Sequence, residues 1–300
     1  MPSSRFGTLL LLLLAFMLGG RHGSASAAPT CDIATGEAGV DTGRIAYSQA
    51  GHGPPVLLLH GLFAQKEQWH HLLCRLAIGG RTAIAPDLPG YGQSAEFPLE
   101  DYRLERQAVL LRQFMNALGY RVYAVAGSSM GGTIAALMAQ QFPREVSSVA
   151  FIGSPLGVVK WGPGVREAIF RGINPFIPVD TTQFDLEMSL LFVNPPPIPL
   201  SVKENLVKDY VARRRHYQQV WDIVNLYDDR LRDSDWLRKP TLIVWGRQDH
   251  IFSIEGAKRL KNRLPRGQLR TLPVAGHLLL MENAETVAAW YQQFLRKHQR

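Results

Sequence analysis

The chain has 300 residues, 46% hydrophobic and 19% charged, with two cysteines and a formal net charge of +8. Such a composition can bury a sizeable core and excludes a disordered or collagen-like chain, and two cysteines exclude a disulfide-framework mini-protein or a Cys-rich metal module. The densest basic run, Arg213-Arg214-Arg215, is too short for a nucleic-acid stripe, so no nucleic-acid partner is expected. The charge is compatible instead with weak attraction to anionic surfaces or lipids.

At the N-terminus, Arg5 gives a positive start and Leu9 to Leu18 is almost wholly apolar. Ser24-Ala25-Ser26-Ala27-Ala28 then supplies small residues of the A-x-A kind. The pattern predicts a secretory signal peptide over residues 1–27, cleaved after Ala27, and hence a periplasmic or secreted protein. The rival reading is an uncleaved membrane anchor, although the apolar run falls short of the ~20 residues that span a bilayer. A lipobox is not evident in Ala28-Pro29-Thr30 before Cys31. Export would put Cys31 and Cys74 in an oxidising compartment where they can pair. Alternatively Cys74, within the apolar stretch His71 to Leu76, is a buried small residue. The sequence leaves both readings open.

Strand-like runs follow in chain order at Arg44–Gln49, Pro55–His60, Thr82–Asp87, Val122–Gly127, Val146–Gly153, Pro240–Trp245 and Leu269–Val274. Helical patterns lie between and after them at Ala64–Ile78, Asp101–Leu118, Met130–Gln141, Ile254–Leu264 and Asn283–Lys297. Short apolar strands alternating with amphipathic helices predict an α/β fold, with a mostly parallel sheet covered by helices on both faces. One stretch breaks the rhythm. From about Ser154 to Trp236 there is no clean strand, and helical segments are expected at Val165–Gly172, Asp185–Phe192 and Val202–Tyr227, separated by prolines that prevent one continuous helix. The predicted organisation is therefore a core over 28–153 and 237–300, interrupted by a helical cap over 154–236.

The sharpest chemical signal is Gly127-Ser128-Ser129-Met130-Gly131-Gly132, which fits G-x-S-x-G with Ser129 at its centre. It follows an apolar strand and opens an Ala-rich helical pattern, the context a nucleophile elbow requires. Ser128 lacks glycine at both second neighbours. A serine nucleophile needs a base, and the base an orienting acid, in the order Ser, acid, His for this architecture. Asp249, in Trp245-Gly246-Arg247-Gln248-Asp249-His250, follows a strand, although a lone loop aspartate is more often a turn residue or cap. His277, in Ala275-Gly276-His277, follows the last strand and comes after both Ser129 and Asp249; His250 is the runner-up. The backbone N–H groups of Leu62 and Met130 are the expected oxyanion donors, assigned by position alone. His60 precedes the nucleophile and is assigned to fixing its loop.

These residues resemble the α/β-hydrolase superfamily from about Ile45 to Leu295. The similarity is carried by His60-Gly61, Asp87-Leu88-Pro89-Gly90-Tyr91-Gly92-Gln93-Ser94, the Ser129 elbow, Trp245-Gly246 with Asp249, and Gly276-His277 followed by Glu282. The Ser-Met-Gly-Gly elbow is similar to those of monoacylglycerol lipases, bacterial lipases and esterases, and meta-cleavage C–C hydrolases. Glu187-Met188-Ser189-Leu190-Leu191-Phe192, Pro195-Pro196-Pro197-Ile198-Pro199 and Val202 resemble the cap of cold-adapted bacterial lipases and mammalian monoacylglycerol lipases. Ser128 departs from the pattern, standing where many lipases have His. The resemblance implies a serine hydrolase of lipid-like or acylglycerol esters that uses no metal or organic cofactor. Its pocket would be partly made by the cap, with Phe63, Trp161, Met188 and Phe192 as substrate-contacting side chains and most other apolar cap residues forming the cap's own core. The alternatives are a C–C bond hydrolase of the meta-cleavage type and a non-catalytic binding protein on the same fold.

Overall fold

The computed structural model describes residues 31–227, 229–233 and 236–298; the expected signal segment and its cleavage point lie outside the described residues. The strands are β1 (Ala34–Val40), β2 (Gly43–Ala50), β3 (Pro55–Leu59), β4 (Thr82–Pro86), β5 (Tyr123–Gly127), β6 (Val146–Ile152), β7 (Thr241–Gly246) and β8 (Gly267–Leu272). They form one sheet in the order β1-β2-β4-β3-β5-β6-β7-β8. The pairs β1–β2 and β2–β4 are antiparallel, and the pairs from β4–β3 through β7–β8 are parallel.

The helices are α1 (His70–Ile78), α2 (Leu104–Ala117), α3 (Met130–Gln141), α4 (Pro163–Phe170), α5 (Thr181–Leu191), α6 (Leu200–Ala212), α7 (Arg214–Asn225), α8 (Glu255–Arg263), α9 (Leu279–Glu282) and α10 (Ala284–Lys297). No described helix is long and apolar enough to cross a membrane. The central strands are buried along almost their whole length because alternate residues enter two separate cores. Leu57, Leu59, Val125, Phe151, Ile243 and Trp245 pack towards α2, α3 and α8. Val56, Leu58, Ala126, Ile152, Leu242 and Val244 pack towards α1 and α10. The sheet's continuous apolar runs thus follow from being covered on both sides.

Three departures from the sequence expectations have local causes. Strand β1 has two glycines, and Ala38 is its one buried residue, so no apolar run announces it; it is a strand because it pairs along its length with β2. The segment expected as one helix over Val202–Tyr227 breaks at Arg213, where φ/ψ of −105°/13° leave the helical basin. Its halves serve different cores: α6 buries Leu206, Val207 and Tyr210 against Phe184, Met188 and Phe192 of the insertion, whereas α7 buries Val220, Trp221 and Val224 in the main core. Helix α5 starts a turn earlier than expected because Asp180 caps it, its Oδ1 accepting from the Gln183 N–H at 2.8 Å.

Helices α4–α7 all fall between β6 and β7. Cys31 and Cys74 are disulfide-bonded, with Cα atoms 5.4 Å apart, tying the start of the described chain to α1. The buried-thiol reading of Cys74 is thereby corrected.

Candidate active site

The turn from β5 into α3 holds Ser129 at φ 52°, ψ −121°, a conformation that L side chains rarely adopt. The flanking glycines are required by contact. A Cβ on Gly127 would lie 2.1 Å from the Gly131 carbonyl oxygen, and one on Gly131 would lie 2.2 Å from that of Leu59. The G-x-S-x-G pattern is thus the packing condition for a sharp strand-to-helix turn pressed against the end of β3. Phe63, in the loop after β3, is the other non-glycine residue with positive φ (56°) among the described residues. Strained backbone is concentrated at the C-terminal ends of two adjacent parallel strands, where α/β sheets place their sites.

Asp249 follows β7 and His277 follows β8, both nearly buried. His277 Nδ1 lies 3.0 Å from Asp249 Oδ2. Asp249 Oδ1 accepts from the backbone N–H groups of Ile251 (2.8 Å) and Phe252 (3.0 Å). The sequence reading missed one member of this cluster, Ser154. Its hydroxyl donates to Asp249 Oδ2 at 2.5 Å, and its oxygen lies 3.0 Å from His277 Nδ1. With its one proton given to the carboxylate, Ser154 keeps lone pairs for the imidazole N–H. Four donors therefore converge on Asp249. The signal that could have found Ser154 was available: like the other site residues it stands just past a parallel strand, two residues after the end of β6.

The His277 loop is held from both sides. The N–H groups of His277 (2.9 Å) and Leu278 (3.3 Å) donate to the Leu191 carbonyl at the end of α5. Glu282 accepts from Gly276 N–H at 2.6 Å with one oxygen and from Val193 N–H at 2.9 Å with the other. The imidazole is thus tied to the insertion as well as to the sheet.

His60 is fully buried. Its Nδ1 lies 2.8 Å from the Gly61 carbonyl, and its Nε2 accepts from the Leu88 N–H at 3.0 Å, which fixes the neutral tautomer with the proton on Nδ1. Burial keeps its pKa below the ordinary imidazole value, outweighing nearby Asp87. The β3 and β4 loops are further joined by buried Lys66, whose ammonium bonds Asp87 at 2.7 Å. Burial alone would lower the Lys66 pKa, but Asp87 and Glu67 outweigh it and the net shift is upward.

Ser129 and His277 line one pocket, together with Leu62 and Met130. Ser129 and His277 make no hydrogen bond to each other among the described residues, so the structure joins two of the three expected side chains directly and places the third at the same cavity. No backbone carbonyl among the described residues accepts from the N–H of Leu62 or Met130. Phe63, Trp161, Met188 and Phe192 line the pocket too. Phe63 packs edge-on against Tyr217 of α7, and Trp161 stacks on Phe252 and Trp221. His250, the runner-up base, is exposed. Phe170 of the insertion, unlike the apolar residues of a cap core, is 92% exposed. The described residues include no group of His, Cys, Asp and Glu arranged to hold a metal ion.

A strained serine at a strand-to-helix turn, a histidine-bearing loop after the last strand and an insertion between β6 and β7 define the class. Residues 54–284 match the alpha/beta hydrolase fold family, and the chain belongs to it. Among curated proteins it is 26% identical over 259 residues to Lipase 1 of Psychrobacter immobilis, covering 84% of this chain and 80% of that one. It is 26% identical over 265 residues to monoacylglycerol lipase abhd6-B of Xenopus laevis, covering 83% and 77%. A solved structure described as a membrane phospholipase A, a bacterial virulence factor, superposes with a TM-score of 0.80 at 28% identity, covering 97% of this chain and 92% of that one.

Proposed function

We propose that the chain hydrolyses carboxylic esters of lipid-like or acylglycerol type, with Ser129 as nucleophile, His277 as general base and acid, and Asp249 as the group that orients the imidazole. The observation that carries this reading is the strained Ser129 opening onto the same pocket as an imidazole whose Nδ1 is held by a buried carboxylate. With Nδ1 taken, Nε2 is the nitrogen left to serve the serine. The serine–imidazole contact closes when substrate fills the pocket, as catalytic hydrogen bonds often tighten only in the loaded complex.

Ser129 Oγ attacks the ester carbonyl while His277 Nε2 takes its proton. Asp249 stabilises the imidazolium without becoming protonated. The developing oxyanion is held by the N–H groups of Leu62 and Met130, the latter at the N-terminus of α3, where the helix dipole favours negative charge. His277 returns the proton to the departing alcohol, and a water deprotonated by the same imidazole then releases the acid and frees Ser129.

Residues 154–236 act in this reading as a cap. Phe63, Trp161, Met188 and Phe192 contact the substrate, and the relatives' names as lipases and a monoacylglycerol lipase support an ester of lipid character. Of the large apolar side chains exposed on the described residues, Ile169, Phe170, Leu200, Val211 and Leu226 all belong to the insertion, which suits weak contact with a lipid surface. Residues 1–27 serve as an export signal, which fits the Cys31–Cys74 disulfide and an oxidising destination.

The test is hydrolysis of p-nitrophenyl esters from C2 to C16 by the wild type and by Ser129→Ala. The variant should lose at least about a thousandfold in kcat/KM while its circular dichroism spectrum is unchanged. Full activity in a pure folded variant would overturn the assignment.

A further inference from the structure

The pocket shared by Ser129 and His277 is lined mostly by apolar side chains, and one polar group on the insertion stands out among them. Glu187 of α5 is 4% exposed and lines this pocket, yet its Oε2 has no hydrogen-bond partner among the described residues. Its Oε1 accepts from the Tyr210 hydroxyl of α6 at 3.3 Å, and Tyr210 lines the pocket as well. Tyr217, whose ring centroid lies 5.3 Å from that of Tyr210, and Asp209 are the other titratable groups nearby, and Arg213 is engaged by Asp209 at 2.7 Å.

A buried carboxyl oxygen without a partner is costly, so its retention beside a cavity calls for a ligand group that satisfies it. Burial pushes Glu187 up to about 8, against the lesser effect of the Tyr210 bond. Near neutral pH the group is mainly a neutral carboxylic acid, which donates through one oxygen and accepts through the other. An alcohol hydroxyl, itself both donor and acceptor, matches it in either protonation state. An ammonium would match only the ionised form.

The position of Glu187 also selects a side of the substrate. Leu191, whose carbonyl takes the N–H groups of His277 and Leu278, lies four residues after Glu187. That is one helical turn, about 6 Å along the axis. In the mechanism above, the leaving alcohol receives its proton from His277 and so departs on that side. Glu187, Leu191, His277 and Leu278 line the same pocket, so the departing alcohol shares that space with the Glu187 carboxyl.

We infer that the Glu187 carboxyl, oriented by the Tyr210 hydroxyl, is a subsite for a free hydroxyl on the alcohol portion of the substrate, so that the pocket selects polyol esters over esters of simple alkanols. The inference rests on the ester-hydrolase reading and deepens it. A site built to bond a hydroxyl rejects the analogue that lacks it, because the site's own polar group is then left unpaired.

The experiment compares kcat/KM for 2,3-dihydroxypropyl octanoate and propyl octanoate on the wild type, Glu187→Leu, Glu187→Gln and Tyr210→Phe. The wild type should favour the dihydroxypropyl ester by about tenfold or more. Glu187→Leu should bring the ratio close to one, Tyr210→Phe should reduce it, and Glu187→Gln, which still donates and accepts, should keep part of it. Should Glu187→Leu fail to fold, the wild-type ratio and Tyr210→Phe carry the test. Equal kcat/KM in the wild type, or an unchanged ratio in the folded variants, overturns the subsite alone. Hydrolysis of neither ester by the wild type overturns the ester-hydrolase reading itself.

Discussion

The strand ends of the sheet and the helical insertion between β6 and β7 treat polar groups in opposite ways. At the strand ends the polar groups that hold the His277 and His60 loops are fully paired. Asp249 gathers four donors, both ring nitrogens of His60 are engaged, and each oxygen of Glu282 takes a backbone N–H. On the insertion, Glu187 leaves an oxygen unpartnered beside the pocket, and large apolar side chains face outward. A saturated network has one low-energy arrangement and can hold reacting groups to a fixed geometry. An unsatisfied group waits for something else to complete it. On the proposed mechanism, reaction chemistry belongs to the sheet and choice of substrate to the insertion. The two meet at the Leu191 carbonyl and Glu282, which bond the His277 loop.

The largest effect should come from Asp249→Asn on the sheet side. An amide cannot hold the imidazole in the required tautomer, and kcat should fall by about 10⁴ with the fold intact. A loss under tenfold in an ester assay would mean that the chemistry lies elsewhere and would break the division of labour.

Next in size is an effect on stability that belongs to the sheet side alone. Cys74→Ser removes a link spanning a sequence separation of 43 and should lower unfolding stability by about 2–4 kcal/mol, read from urea midpoints, while activity per folded molecule stays close to wild type. A matching collapse of kcat would show that the link shapes the site rather than only holding the chain.

A stability effect of similar or smaller size should belong to the insertion. Glu187 sits at about 8 in the folded chain against an ordinary 4.5. Below pH 4.5 it is neutral whether folded or unfolded. Between 4.5 and 8 the unfolded chain ionises while the folded one does not. Stability should therefore fall as pH rises through that window and level off above it. Urea midpoints at pH 5 and pH 8 should differ less in Glu187→Gln, and an identical slope would remove Glu187 as its source.

The smallest effect sharpens the sheet side. Ser154→Ala should cost about tenfold in kcat/KM, the value of one buried hydrogen bond to a charged group, and Ser154→Thr, which keeps the hydroxyl, should recover part of it. A purely structural role would leave the acid limb of the pH–rate profile unmoved, whereas a hydroxyl shared by Asp249 and His277 should shift it.

Much of the sheet was legible in the sequence because its strands are buried on both faces and read as apolar runs. The glycines around Ser129 were legible because their carbonyl neighbours tolerate no Cβ. The Asp249–His277 contact could be anticipated from the order of loops after strands. Illegible features were those made by pairing and packing and not by the residues' own apolar pattern. β1 exists through β2, and the break at Arg213 exists because α6 and α7 bury different faces. Glu187 reads as one acidic residue in a helical segment, and only the packing of α5 and α6 buries it beside the pocket. Ser154 was a middle case, with a strand-end position on view and its two partners 95 and 123 residues away.

The hydroxyl proposed to be activated, that of Ser129, has two nearby competitors, Ser128 in the same turn and Ser154 beside the imidazole. Reaction of the folded protein with a fluorophosphonate, followed by peptide mass mapping, tests this directly. One adduct is expected, on Ser129, lost in both Ser129→Ala and His277→Ala. An adduct on Ser128 or Ser154, or no labelling of a folded sample, would contradict it.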